Sequence, residues 1–215
     1  MGTEKRGEAP LHLSLTLEPA QLGEFYSFLQ QGFHVDVRVG CSIRELLCDQ
    51  FGIDSEYVLG RITTVFQNGK AIDDLDAAII RDGTRLTLSA AMPGLVGATM
   101  RRGGFYAAMR GSITHRETEE KGLGGSGIIL MKLFNLLLAE LGPDFLKGGI
   151  GVAAADLADF FAKRPSTFWR GCRQLLLDGK PVEPERLMDG EAFLGGGTVW
   201  LSVTCRKEDK ESARN

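Results

Sequence analysis

The sequence predicts an α+β protein made of two tandem copies of one unit, each a mixed sheet packed on a helix. Three observations predict it: apolar residues at every second position, a helix start with a complete capping signature, and a return of the same pattern about 114 positions later. Leu11, Leu13, Leu15 and Leu17 alternate with His12, Ser14 and Thr16, which gives an extended strand one apolar and one wet face. Phe33, Val35, Val37 and Val39 alternate in the same way with His34, Asp36 and Arg38, and this second strand is expected to pair antiparallel with the first. The polar stretch 21–31 between them reads as helical. In Ser42-Ile43-Arg44-Glu45 the hydroxyl and the carboxylate satisfy amides that a helix start leaves orphaned. The helix that follows carries Ile43, Leu46, Leu47 and Phe51 on one stripe, and Gly52 ends it. Residues 62–67 read as a strand closed by the Asn68-Gly69 turn, and Asp82-Gly83 turns the chain into a last strand over 84–90.

The order then repeats. Ile43, Leu46 and Leu47 recur as Leu157, Phe160 and Phe161, Asn68-Gly69-Lys70 as Asp178-Gly179-Lys180, and Gly83-Thr84 as Gly197-Thr198. The offsets of 114, 110 and 114 differ by one loop-sized indel, the mark of an internal duplication. In the second copy, strands are expected over 128–134, 150–152, 174–177 and 198–205, with a helix that stops before Pro165. The expected organisation is a first domain over 1–91, a Gly-rich connector over 92–127, a second domain over 128–205 and a charged tail over 206–215.

The composition is that of a soluble globular chain: 215 residues, 43% hydrophobic, 25% charged, net charge −3. The longest apolar run, 128–138, is cut by Lys132 and Asn135 and falls short of the roughly 20 residues a bilayer span needs. No membrane helix is expected. The opening MGTEKRGEAP lacks the apolar core of a secretory signal, so the expected address is cytoplasmic. Four cysteines without a C-x-x-C or C-x-x-H pair argue against a disulfide scaffold or a zinc site. Cys172 and Cys205 are expected on neighbouring strands, close together and reduced.

A hairpin, a helix laid across it and further strands is the β-grasp arrangement, and the residues resemble the ThiS/MoaD sulfur-carrier branch of the ubiquitin-like superfamily. The resemblance rests on Val39-Gly40-Cys41-Ser42-Ile43-Arg44-Glu45-Leu46-Leu47, on Phe66-Gln67-Asn68-Gly69-Lys70 and on Ile80-Arg81-Asp82-Gly83-Thr84-Arg85-Leu86-Thr87-Leu88, with Met131-Lys132-Leu133-Phe134 similar to the family's opening strand. It implies a C-terminal Gly-Gly whose carboxylate an adenylating partner activates. This chain departs from that pattern by ending Glu211-Ser212-Ala213-Arg214-Asn215. Two internal stretches are candidates for the tail. Gly97 closes Met92-Pro93-Gly94-Leu95-Val96-Gly97-Ala98, and Gly103-Gly104 follows Arg101-Arg102 as in the ending of ubiquitin. A different expectation for Gly103-Gly104 is a two-residue turn between strands 95–102 and 105–113.

Residues 92–127 hold nine glycines together with Arg101, Arg102, Arg110, Phe105 and Tyr106, which makes this stretch the candidate binding element. Arginines beside aromatics can meet a carboxylate or phosphate bidentately. Trp200 has the opposite parity to Val199, Leu201 and Val203 and is expected to face outward as an interface anchor. Other constellations fail on context. Gly122-Leu123-Gly124-Gly125-Ser126-Gly127 matches G-x-G-x-x-G but precedes a strand, where a dinucleotide site needs a helix. His12 and His34 fall at opposite ends of the expected strand pair, and His115 lies in a charged run. Cys41 and Cys48 lack an identifiable base. Asp73, Asp74 and Asp76 read as a turn. No catalytic residue, metal ligand or cofactor is expected. The expected role is a non-enzymatic, ubiquitin-like protein that acts through protein–protein contact. An adenylating enzyme is the partner the resemblance implies, and an acidic chain with three clustered arginines points away from nucleic acid. The alternatives are a sulfur-carrier or modifier precursor activated at Gly104 after processing, and a small-ligand enzyme with a site between the domains.

Overall fold

The structure is a computed structural model and describes residues 10–90, 92–106 and 124–205. Along the chain the elements are β1 (Leu11–Leu17), a 3-10 helix (Pro19–Phe25), α1 (Tyr26–Gln31), β2 (Phe33–Val39), α2 (Ile43–Glu45) running into a π-helical turn (Leu46–Gln50), and α3 (Ser55–Gly60). There follow β3 (Thr64–Gln67), β4 (Lys70–Ala71), β5 (Arg85–Ser89), α4 (Gly94–Met100), β6 (Gly125–Phe134) and α5 (Leu137–Gly148). The last elements are β7 (Ile150–Ala153), α6 (Ala154–Ala162), α7 (Ser166–Arg170), β8 (Cys172–Leu177), β9 (Lys180–Pro181), α8 (Pro184–Met188), a 3-10 turn (Glu191–Phe193) and β10 (Thr198–Cys205). The chain is α+β with mixed strand pairing. No helix among the described residues is long and apolar enough to cross a membrane.

The chain divides into a continuous unit, Tyr26–Gly142, and a discontinuous one made of residues 1–25 with 143–215. In the continuous unit the strands run β4-β3-β5-β6-β2. β5 and β6 are parallel, with Leu86 beside Met131 and Leu88 beside Leu133, and the other pairs are antiparallel. Phe33, Leu86, Leu88, Ile129, Met131 and Leu133 are fully buried, as the alternation requires. The capping box forms as expected: the Ser42 hydroxyl accepts from the Glu45 amide at 3.2 Å, and the Glu45 carboxylate from the Ser42 amide at 2.7 Å. The helix stripe Ile43, Leu46 and Leu47 is buried completely. After one turn the helix widens, so that the Phe51 amide donates to the Leu46 carbonyl. Asn68 and Gly69 both take positive φ, 51° and 82°, which closes the β3–β4 hairpin.

In the discontinuous unit the order is β7-β10-β1-β8-β9. β1 runs parallel to β10, Leu13 beside Leu201 and Leu15 beside Val203, and antiparallel to β8. Leu157 and Phe161 of α6 are fully buried, and Phe25, Phe160, Phe168, Trp169 and Phe193 join them in one aromatic cluster. Arg164 lies 4.1 Å above the Phe160 ring and pairs with Glu24. Asp178-Gly179 repeats the turn of the other unit, with φ of 49° and 75°.

Three expectations are corrected here. β1 and β2 do not form a hairpin: a 3-10 helix and α1 separate them, and β1 sits between β10 and β8. Alternation specifies which face a strand buries and leaves its neighbour unspecified, so a distant strand of the same pattern can take the place. Cys172 and Cys205 are not on neighbouring strands either. Each is in register with Leu17, on opposite sides of β1. Two strand spacings, about 9–10 Å, exceed the ~7 Å reach of a disulfide. All four cysteines are free. Lastly, residues 95–102 are not a strand, since α4 occupies Gly94–Met100. The compact units also cut across the sequence repeat: the opening strand of the first half, β1, belongs to the discontinuous unit, and that of the second half, β6, to the continuous one.

Candidate functional site

Within the continuous unit, the end of the sheet where β5 and β6 finish carries the candidate site. There Thr63 Oγ1 donates to the Ala90 carbonyl at 3.0 Å, and Asn135 Nδ2 to Ser89 Oγ at 2.8 Å, tying the ends of the three strands together. The chain leaving β5 turns at Pro93 and forms α4, whose sequence, Gly-Leu-Val-Gly-Ala-Thr-Met, has two glycines and two β-branched residues and so little intrinsic helicity. Packing holds it. Gly97 is buried against Met92, and a Cβ there would lie 2.0 Å from the Met92 carbonyl oxygen. Leu95 and Val96 are left 71% and 65% exposed on the outer face.

Past α4 the Arg102 amide donates to the Thr63 carbonyl at 2.8 Å. Arg102 Nη2 reaches the carbonyls of Val58 at 2.9 Å, Leu59 at 3.2 Å and Ile62 at 3.0 Å, where α3 ends. A cation at the carbonyl end of a helix is favourable. Burial pushes the Arg102 guanidinium below its ordinary value, and the charge of Arg44 adds to this while Asp73 opposes it. The Gly103 amide donates to Asp73 Oδ1 at 3.0 Å with φ of +61°, and the Gly104 amide to the Arg101 carbonyl at 3.1 Å. Phe105 and Tyr106 then stand out at 92% and 41% exposure, their rings edge to face at 5.2 Å.

These pieces enclose an open cleft of about 720 Å³. Arg61, Met92, Ala98, Arg101, Arg102, Phe105, Tyr106 and Leu136 line it together with glycines 60, 94, 97, 103 and 104. Arg61 is held from behind. Its Nε donates to Glu140 Oε2 at 2.9 Å and its Nη2 to Oε1, while the Tyr57 hydroxyl donates to Oε2 at 2.5 Å. Arg61 first, then Tyr57, holds the Glu140 carboxyl down at about 2. Burial, followed by the bond to Glu140, drives the Tyr57 phenol well above its ordinary range.

Of the residues expected to bind, the cleft thus gathers Arg101, Arg102, Phe105 and Tyr106. Arg102 is committed to the carbonyls of α3. Arg110 lies outside the described residues. Trp200 is half-buried on β10 of the discontinuous unit, in register with His12 and Gly151. The tail candidate Gly97 is a packing residue, and the turn that follows α4 runs from Arg101 to Gly104 with Arg102 and Gly103 at its centre, so Gly103-Gly104 does not form the expected two-residue turn. Sequence reasoning missed Arg61, Leu136 and the Tyr57–Glu140 brace. A signal for part of it was present: Asp54 caps α3, accepting from the Glu56 and Tyr57 amides at 2.9 and 3.0 Å, and Arg61, the C-cap of that helix, follows Tyr57 by four positions.

The other chemical groups are engaged structurally. Cys41 Sγ donates to the Arg38 carbonyl at 3.2 Å and accepts from Gln50 Nε2 at 3.1 Å, and burial pushes its thiol up, away from a nucleophilic thiolate. Asp74 Oδ1 accepts from the Asp76 and Ala77 amides, and Asp76 pairs with Arg44 at 2.7 Å, so the acidic run is a hydrogen-bonded turn. Among the described residues no three of His, Cys, Asp and Glu converge as metal ligands would. No protein-family model, curated protein or solved structure matches this chain.

Proposed function

We propose that the chain is a non-enzymatic, cytoplasmic, ubiquitin-like protein of two β-grasp units, similar to sulfur carriers, that works by protein–protein contact at the cleft beneath α4. Support for the fold reading comes from the strand order β4-β3-β5-β6-β2 with its parallel central pair, which suits a β-grasp sheet whose opening strand arrives last along the chain. The observation that carries the functional reading is the fate of the segment after β5. In sulfur carriers that segment is the tail presented to a partner. In this chain it folds into α4 and walls a cleft in which Phe105 and Leu136 stay 92% and 53% exposed. Aromatic side chains held out of the core at a concave surface are the composition of a contact hot spot.

Activation at Gly104 after processing is the weaker alternative. Cleavage there would remove β6, which lies between β5 and β2, from the fragment that needs it.

The test is site-specific photo-crosslinking in native-host lysate, with a benzophenone amino acid at Phe105 and, as control, at Leu194, which is equally solvent-facing at 85% exposure. Discrete adducts from position 105 that position 194 does not give are expected. Identical adduct patterns from both, or none from 105, would refute the assignment of the cleft as a contact surface.

A further inference from the structure

The discontinuous unit is completed by a strand that reaches it from a distant stretch of chain. The chain leaves this unit at Phe25, spends Tyr26–Gly142 in the continuous unit and returns at Pro143. The arm so set apart, residues 11–25, supplies the middle of the sheet and not an edge. β1 lies between β10 and β8, paired with both, and Leu13, Leu15 and Leu17 are buried. Beyond the strand, the Glu18 amide donates to the Gly171 carbonyl at 3.0 Å, Gln21 Nε2 donates to the Phe168 carbonyl at 2.6 Å, and Glu24 pairs with Arg164. Phe25 ends the arm as a fully buried ring 4.9 Å from that of Phe160. All these partners belong to residues 143–205. The change from the 3-10 helix (Pro19–Phe25) to α1 (Tyr26–Gln31) falls on the junction between the two units, and a switch of helix type within one continuous run is a common place for a hinge.

We propose that the slot between β10 and β8 is an interaction surface for a second copy of this chain, two copies trading residues 11–25 in a closed, symmetric pair. An occupant of the slot must run parallel to β10 and antiparallel to β8, alternate apolar with polar residues over the seven positions of β1, and end in an aromatic ring for the Phe160–Phe168 cluster. The arm of another copy meets each requirement. The exchanged pair therefore keeps every one of these hydrogen bonds and apolar contacts and changes only the path at the junction. With contacts equal, concentration sets the balance: a tethered arm sits near its own slot at an effective concentration of about 1 mM, which a second copy must match. Exchange also requires the arm to come out first. Removing a central strand opens two unpaired edges and the core face behind Leu13 and Leu15, so folded copies stay as they are and the choice is made during folding.

The experiment uses two copies of the full chain with all four cysteines replaced by serine, one carrying Thr16→Cys and the other Thr204→Cys, positions whose hydroxyls are 3.2 Å apart. The copies are mixed in equal amounts near the urea midpoint, returned to buffer and mildly oxidised. An interchain disulfide is expected in on the order of a tenth of the chains at ~1 mM protein and in roughly a hundredfold fewer, or less, at ~1 µM. Copies folded separately and only then mixed should not link; equal linkage in that control would mean chance collision and overturn exchange. Thr16→Cys with Thr204→Cys in a single chain, oxidised at ~1 µM, is the standard. Closure of that intrachain pair without interchain linkage in the mixture would overturn exchange, and failure of the intrachain pair to close would overturn the β1–β10 register and exchange with it. Thr87 and Lys132, in register on β5 and β6, report the trade of larger pieces: an interchain disulfide between Thr87→Cys and Lys132→Cys copies in the same protocol would overturn the arm as the exchanged element.

Discussion

Replacing Gly97 by Ala sets two effects of opposite sign against each other. On intrinsic propensity alone, Gly→Ala inside a helix stabilises by ~1 kcal/mol. The packing around α4 says the reverse. The new Cβ would lie 2.0 Å from the Met92 carbonyl oxygen, 2.4 Å from its carbonyl carbon and 2.8 Å from its Cβ. Two of those three atoms are backbone and cannot rotate aside, so α4 or the Met92 peptide must move. Overpacking of a built site costs ~1–3 kcal/mol, and immovable neighbours place this case near the top of that range. The net expectation is a loss of ~2 kcal/mol. Gly60→Ala is the matched control, because a Cβ at that helical position meets nothing within 4 Å. It should be neutral or stabilise by ~0.5 kcal/mol. Urea unfolding followed by far-UV circular dichroism reads both units. Tryptophan emission reads only the discontinuous one, since Trp169 and Trp200 both lie within residues 143–215. The expected pattern is a lower circular dichroism midpoint for Gly97→Ala with emission unchanged. A variant as stable as the parent, or more so, would refute the close packing of α4 on Met92.

Three further outcomes follow from the geometry. Residues 26–142 expressed alone should fold cooperatively, while residues 1–91, which lack β6, should not; well-dispersed amide spectra of the shorter piece would contradict the strand order. Glu140 titrates near 2 in the folded chain against an ordinary 4.5, so the stability it adds is complete above about 4.5 and is lost as pH falls toward 2. Glu140→Gln should therefore lower the melting temperature at neutral pH, with the gap to the parent closing in acid; a pH-independent gap would mean that the ion pair with Arg61 is not its source. In a background with all four cysteines replaced by serine, Thr16→Cys with Thr204→Cys should crosslink under mild oxidation, because the two hydroxyls are 3.2 Å apart. The natural Cys172 and Cys205 should stay unlinked under the same treatment.

What was legible in the sequence is what a few neighbouring residues decide. The Ser42–Glu45 box, the two hairpin turns at Asn68-Gly69 and Asp178-Gly179, and the buried faces of β1, β2 and β10 follow from local stereochemistry and alternation, and each is realised. Pairing is a different matter. Leu11 to Leu17 would bury the same face beside β2 or beside β10, and only the whole chain's packing selects between them. α4 was illegible for a related reason: its residues disfavour a helix, and the contact between Gly97 and Met92 overrides them. The exposed Phe105 and Tyr106 could be suspected from their glycine-rich surroundings. The anchoring of Arg102 on α3 joins residues some forty positions apart and leaves no local trace.

The parallel pairing of β5 with β6 changes what the Gly-rich segment between them has to do. Antiparallel neighbours can be joined by two residues, but a parallel pair needs a crossover of a dozen or more, because the chain must travel back along the sheet before the next strand can start. β5 ends at Ser89 and β6 starts at Gly125, and the two are parallel neighbours of the same unit, so the chain between them has to span such a crossover. Shortening it below the length of the return path would prevent β6 from inserting between β5 and β2, and the unit would lose a central strand. A binding role for residues 92–106 is then a role added to a structural obligation. For that reason point substitutions at Phe105, Tyr106 and Arg101, which leave the crossover's length intact, can separate contact from folding, whereas deletion of the segment removes both at once.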